Sequence, residues 1–273
     1  MQSLSAVSLE VADQPNPQPI DPTERPDFVT ALARGISVIR AFGPDASRMT
    51  LADIAKRVGL PRATVRRSLI TLETLGYVES DGRNFTLTPK VLALGHSYLS
   101  SSPFTRTAQP LLERFAATIH ESSWVAILDD NEAVLVAGAR TNRLLSPGLT
   151  DGSRLPAAWS ALGRVLLAGL PDDQLDAFLR RLKMRTYTSR SLTDLGAIRR
   201  AILDVRTNGY TICDGEVEIG LCSIAVPVVN GEGKTVAAMN ATAPSERVRS
   251  SEMVERFLPL LKRTADDLRP ALS

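Results

Sequence analysis

At 273 residues, with 44% hydrophobic and 23% charged side chains, the chain is long enough for one large or two ordinary domains with a sizeable core. No apolar run reaches the roughly 18 residues of a membrane span, and the first 26 residues lack the basic and apolar regions of a secretory signal. Two cysteines, Cys213 and Cys222, are too few for a disulfide framework and fit a reducing cytoplasm, each as a small buried residue.

The net charge of +2 is unevenly spread. Residues 1–24 hold four acids and no base, residues 25–100 hold eleven bases against six acids, and the remainder holds 21 against 20. The excess positive charge therefore sits in one segment, where a polyanion would find it.

Residues 1–25 are rich in Pro, Ser, Gln and Asp without apolar periodicity and read as a disordered acidic tail. A helix follows from Phe28 to Phe42, with Val29, Leu32, Ala33, Ile36 and Ile39 as its buried stripe. Thr50 to Leu75 reads as two helices joined by a tight turn. The first is N-capped by Thr50, carries Asp53 near the positive end of its dipole and buries Leu51, Ile54, Ala55 and Val58; Gly59 ends it, and Pro61 suits the first helical position of the second. The second buries Val65, Leu69 and Leu72, which turns Ala63, Thr64, Arg66, Arg67 and Ile70 outward, with Arg62 at its start. Strands at Tyr77–Ser80 and Phe85–Thr88 flank an Asp81-Gly82 turn, with Arg83 at its tip. A helix-turn-helix followed directly by a hairpin is the layout of a winged helix that reads duplex DNA. Solvated arginines on a plain helical hairpin are the bland alternative, and the hairpin decides against it.

Pro89 opens a linker helix carrying Val91, Leu92, Leu94 and Leu99, more apolar than an exposed spacer, and Ser100–Pro103 breaks it. Beyond lies a helix over Pro103–His120 that buries Leu111, Leu112, Phe115 and Ile119. Strands follow at Trp124–Leu128 and Ala133–Ala137, with a third through Leu144 and Leu145. Helices at Ala157–Leu170, Asp172–Leu182 and Leu195–Thr207 precede strands at Tyr210–Cys213, Ser223–Val229 and Thr235–Ala241. A last helix, Ser251–Leu268, is bent by Pro259. Helices at both ends of an antiparallel sheet make this an α+β domain. The organisation is thus a tail (1–25), a winged helix-turn-helix domain (26–89), a linker helix (90–103) and a second domain (104–273).

Catalytic and metal chemistry finds little support. Gly231–Thr235 (GEGKT) has Val228 where a phosphate loop needs glycine, and it joins two strands rather than opening a helix. His96 and His120 have no second ligand at metal spacing, and no nucleophile elbow occurs. Asp214, Glu216 and Glu218 could share one strand face as an acidic cluster, but Gly215 and Gly220 make a solvated loop equally good. No cofactor and no metal are expected, and the second domain reads as one that binds a small molecule rather than an enzyme. Asn240 and Thr242, polar within an apolar strand, need buried partners.

From Phe28 onward the chain resembles the IclR family of bacterial transcriptional regulators. The resemblance is carried by LADIAKRVGLPRATVRRSLITLETLGYV, by LPAAWSALGRVLLAGL (Leu155–Leu170) and by NGYTICDGEVEIGLCSIAVPV (Asn208–Val228). PRATVRRSLITL is most similar to the subgroup that controls protocatechuate, p-hydroxybenzoate and β-ketoadipate catabolism. The resemblance implies a GAF-like effector domain, dimers through the DNA-binding domain and linker helix, and often tetramers. It implies an effector site at Ala161 and Leu162, at Cys213, Asp214, Leu221 and Ser223, and at Asn240 and Thr242. The chain departs from the family pattern at Arg164, where lysine is usual, at Gly215, where a second acid is usual, and at Asn240, where small hydroxyls are common. The expected protein is a cytoplasmic, ligand-responsive regulator of an aromatic-acid catabolic operon. Arg62, Ala63, Thr64, Arg66 and Arg67 would lie on operator DNA and Arg83 on a phosphate, while a carboxylic acid would occupy the second domain. The rivals are a constitutive oligomeric repressor without an effector and, further off, an enzyme fused to a DNA-binding module.

Overall fold

The computed structural model describes residues 26–43, 45–141 and 149–272. The acidic tail and the strand expected at Leu144 and Leu145 lie outside them. The chain divides into two compact units between Ala93 and Leu94.

In the first unit, α1 (Thr30–Arg40) leads to a short strand β1 (Arg48–Thr50) and then to α2 (Leu51–Val58). The start of α2 is a complete capping box. The Thr50 hydroxyl accepts from the Asp53 N–H at 3.3 Å, and the Asp53 carboxylate accepts from the Thr50 N–H at 3.1 Å. Gly59 closes the helix in the left-handed region at φ 68°. Pro61 sits at the N-cap of α3 (Arg62–Thr74) instead of at its first helical position, one residue earlier than the sequence suggests. Strands β2 (Val78–Ser80) and β3 (Asn84–Leu87) form the wing, and β1 adds to the free side of β3, giving the order β1-β3-β2. Ile54, Val65, Leu69, Leu72 and Val78 meet Val38 and Met49 in one core.

The first helix packs differently from its periodic stripe. Val38 is fully buried and Ile39 and Phe42 pack beside it, whereas Val29, Leu32 and Ile36 are 62%, 63% and 48% exposed. Only the last turn of α1 reaches the core, and among the described residues nothing covers Val29, Leu32 and Ile36 of its earlier turns. The linker is a 3₁₀ turn (Pro89–Val91) followed by α4 (Leu92–Ser101), which buries no residue.

In the second unit, α5 (Pro103–Ile119) enters β4 (Ser122–Asp129) and β5 (Glu132–Ala139), and then β6 (Arg154–Pro156) adds a short edge strand absent from the sequence reading. Helices α6 (Ala161–Ala168), α7 (Asp172–Arg181) and α8 (Leu195–Asn208) follow, and then strands β7 (Thr211–Asp214), β8 (Leu221–Val229) and β9 (Thr235–Pro244). The chain ends in α9 (Ser250–Glu252), a π-helical turn (Met253–Phe257) and α10 (Leu258–Asp267). That π-helical turn stands just before Pro259, which lies in the first turn of α10.

The six strands form one antiparallel sheet, ordered β6-β5-β4-β9-β8-β7. Strand alternation gives it two apolar faces. On one, Val125, Ile224, Val226, Met239 and Ala241 pack with Leu112 and Phe115 of α5 and Leu261 of α10. On the other, Trp124, Ala126, Leu135, Ala225 and Ala238 pack with Leu162, Val165 and Leu166 of α6. The two cysteines are free and fall on opposite faces, Cys213 with α6 and Cys222 with α5.

Candidate functional site

On the first unit the exposed face of α3 carries Arg62, Ala63, Arg66, Arg67 and Ile70, with Thr64 half-buried at its edge. The burial of Val65, Leu69 and Leu72 forces this orientation, because a helix that hides one stripe must present the opposite one. Arg83 is exposed at the wing tip. Asp81 organises that tip: its carboxylate accepts from the Arg83 and Asn84 N–H groups at 2.9 and 2.7 Å and pairs with Arg48 of β1. These donors, the Asn84 backbone foremost, hold its carboxyl well below the usual carboxylate range. The wing is therefore tied to the strand that precedes the helix-turn-helix.

In the second unit a cavity of about 120 Å³ lies between the sheet and the start of α6. That is the scale of the roughly 150 Å³ engineered cavity that admits benzene. Its lining includes Ala161, Leu162, Cys213, Leu221, Ser223, Asn240 and Thr242, so the structure brings together seven of the eight residues singled out for an effector. The eighth, Asp214, does not line it. Cys213 faces the cavity, and the next residue of a strand must face the other way. Asp214 instead pairs with Arg190 at 3.0 Å. The acidic cluster imagined on one strand face does not form either: Glu216 and Glu218 lie in the loop after β7 and line the cavity without Asp214.

The α6 side is built by close approach. Ser160 caps the helix, its hydroxyl accepting from the Gly163 N–H at 3.2 Å, so the helix starts at Ala161 and not at Ala157. A Cβ on Gly163 would fall 2.2 Å from the Ala157 backbone, which is why the turn and helix can meet so tightly. Opposite, both tryptophans of the chain contribute walls. Trp159 donates its indole N–H to the Leu192 carbonyl at 2.8 Å and meets Tyr187 edge-on. Trp124 lies against Gly138, where a side chain would strike its ring.

The sequence reading missed the tryptophans, Ser160 and Glu216 as wall residues. Trp124 is recoverable in hindsight, since it is the cross-strand partner of Asn240. Glu216 gave no such signal, because its place depends on Arg164. Arg164 is 2% exposed, and its guanidinium donates to both Glu216 oxygens at 2.8 and 2.5 Å, to the Ala158 carbonyl at 3.0 Å and to the Cys213 sulfur at 3.2 Å. Glu216 is thus neutralised where it meets the cavity. Burial pushes the Cys213 thiol up to about 12, so it stays protonated and unreactive at neutral pH.

Glu218 brings a second carboxylate to the lining, and the other polar residues there, Ser160, Ser223, Asn240 and Thr242, are uncharged. Asn240 is 4% exposed, and its amide donates to the Ser223 and Thr242 hydroxyls, both at 2.9 Å. The cavity therefore offers aromatic walls, hydroxyl groups and the positive end of a helix dipole, a combination suited to binding a small anion with an apolar body. It lacks a poised base–nucleophile pair among the described residues.

Comparison with known proteins agrees with this arrangement. Residues 31–82 match the IclR helix-turn-helix domain, and residues 96–269 match the C-terminal domain of the bacterial transcriptional regulator IclR. The chain is 44% identical over 247 residues to the Pca regulon regulatory protein of Pseudomonas putida, covering 90% of this chain and 85% of that one. It is 35% identical over 248 residues to the p-hydroxybenzoate hydroxylase transcriptional activator of Acinetobacter baylyi, covering 89% and 92%. Among solved structures it is similar to an IclR homolog from Microbacterium hydrocarbonoxydans complexed with 4-hydroxybenzoate, at a TM-score of 0.72 and 26% identity over 89% of this chain and 98% of that one. With both domain models matched in order along one chain, this protein belongs to the IclR family of bacterial transcriptional regulators.

Proposed function

We propose that the protein is a cytoplasmic regulator of an aromatic-acid catabolic operon, switched by a small carboxylic acid bound in the second unit. The observation that carries this reading is the cavity itself. It is of single-ring size, walled by both tryptophans and furnished with neutral hydrogen-bond donors, in a domain whose Microbacterium relative is complexed with 4-hydroxybenzoate. The names of the Pseudomonas and Acinetobacter relatives point to the same metabolism.

In this reading the effector lies against Ala161, Leu162, Cys213, Leu221 and Ser223, with Thr242 on the sheet side. The N–H groups of the first turn of α6 face its carboxylate. The domains are those read from the sequence: 26–89 on DNA, 90–103 as linker and 104–273 on the effector. The helix from Arg62 enters the major groove, with Ala63 and Thr64 at base edges, Arg62, Arg66 and Arg67 on bases or phosphates, and Arg83 on a phosphate. A second copy of the chain covers Val29, Leu32 and Ile36 of α1 and Leu92, Leu94 and Tyr98 of α4, which are otherwise apolar and exposed. Such a dimer presents two recognition helices to a two-fold operator.

The test is a footprint of the protein on its own upstream region, titrated with benzoate, 4-hydroxybenzoate, protocatechuate and β-ketoadipate. Occupancy or pattern changes with one of these acids if the reading is right. Unaltered protection with every acid, together with no heat of binding in calorimetry, favours the constitutive repressor.

A further inference from the structure

Hydrogen counting on the sheet side of the cavity assigns Asn240 a role other than contact. The Trp124 backbone N–H can only donate, and it donates to Asn240 Oδ1 at 2.9 Å. This bond fixes which way the amide points. Both Nδ2 hydrogens are then directed at Ser223 Oγ and Thr242 Oγ1, each at 2.9 Å, and those two hydroxyls lie 3.0 Å apart and bond to each other. The ring of three side chains holds four polar hydrogens, two on the amide and one on each hydroxyl, and joins itself by three bonds. Thr242 donates in the mutual bond, so Ser223 accepts twice and keeps one free hydrogen, while Thr242 keeps one lone pair. Among the described residues that hydrogen has no acceptor, and both hydroxyl residues line the cavity. The ring is also held rigidly, because the Ser123 hydroxyl clamps the Asn240 carbonyl at 2.6 Å.

We propose that Asn240 is a positioning residue that sets the polarity of this wall. Together with Thr242 it fills both acceptor sites of Ser223, so that hydroxyl can only donate to a ligand; the wall selects a carboxylate oxygen at Ser223 and rejects a hydrogen-bond donor of the same shape there. The proposal rests on the effector reading above and adds what that reading lacks, namely the feature that tells an acid from its neutral isostere. A serine or threonine at position 240 could donate to one of these neighbours but not to both, so asparagine makes a stricter wall than either.

The test compares 4-hydroxybenzoate with 4-hydroxybenzamide, equal in shape but carrying amide donors in place of one carboxylate oxygen. Each is titrated by calorimetry into the full-length protein and into Asn240→Asp and Asn240→Ala. In Asn240→Asp the new carboxylate accepts from both hydroxyls, so their lone pairs turn to the cavity. The preference for acid over amide is expected to fall by about tenfold or more, the usual effect of one hydrogen bond to a charged group. In Asn240→Ala the hydroxyls are free to rotate, and the preference falls by a smaller factor. The added charge of Asn240→Asp disfavours the acid by itself, so the uncharged Asn240→Ala decides, whether or not the first variant folds: a purely structural asparagine would there weaken both ligands alike, and an unchanged acid-to-amide ratio in folded Asn240→Ala overturns the proposal. Wild-type protein that binds neither compound nor any acid of the panel overturns the effector reading, and this inference with it.

Discussion

Arg164 shows how much one buried cation can organise. Its four bonds join the turn before α6 to the β7 strand through Cys213 and to the loop that follows it through Glu216, 49 and 52 residues further along the chain. Removing one partner of a buried ion pair leaves the other charge without compensation, so Arg164→Ala should cost about 3–5 kcal/mol of unfolding free energy in urea titration. Arg164→Lys keeps the charge but loses the bidentate fork and should cost less. Gly163→Ala acts through sterics alone. Its Cβ would fall 2.2 Å from Ala157 Cα, and a destabilisation of about 1–3 kcal/mol is expected, with effector affinity falling because both residues flank the cavity end. On the other unit, Arg83→Ala should weaken binding to all DNA sequences alike and reduce the salt slope by about 1. Arg66→Ala should relax base preference by about 1–3 kcal/mol if its guanidinium reads a guanine. Mobility-shift titrations on operator and scrambled DNA at several salt concentrations separate the two.

At the scale of elements, caps and ties do more than propensity. The capping box at Thr50 starts α2, and hydrogen bonds from Thr50 hold the Asp53 carboxyl below its ordinary value. Asp81 is held lower still by the wing backbone and Arg48. Groups with depressed folded pKa values contribute stability that is fully present above about pH 4 and is lost as pH falls through the lowered values. The first unit should therefore melt at a constant temperature from pH 8 to 5 and at a falling one below pH 4. In circular dichroism, Asp81→Asn should flatten that acid limb. In the second unit Arg206 of α8 donates to the Ala168 and Leu170 carbonyls at 2.9 and 2.7 Å and pairs with Asp172 at 2.5 Å. It thereby closes α6 and opens α7 with one side chain. Here the sequence was readable wherever a local signal existed: Thr50, Gly59, the Asp81-Gly82 turn and the Asn208-Gly209 stop all mark real boundaries. It was unreadable in β1 and β6, three-residue edge strands that no recognisable hairpin turn marks as the Asp81-Gly82 turn marks β2, because so short a segment has no period to detect.

For the whole molecule, the exposed stripe of α1 and the unburied α4 are the features a single chain leaves unexplained. If a second copy covers them, Ile36→Glu and Leu94→Glu should shift the protein toward monomer in sedimentation velocity and weaken operator binding, while calorimetric affinity for the effector is retained. Retention of the dimer in both variants would place the interface elsewhere. The sequence by itself determined what depends on neighbours along the chain. The outward arginines of α3 follow from helical periodicity, the wing from its turn residues, and the shared face of Asn240 and Thr242 from strand alternation. Only the tertiary structure decided which of two adjacent strand residues faces the cavity, so that Cys213 lines it and Asp214 does not. It also decided that Asn240 serves its neighbours and that Glu216 meets the cavity already neutralised. The reason is physical. Periodicity orders residues within one element, but the partner of a buried polar group lies on another element, and only packing brings the two within hydrogen-bond reach.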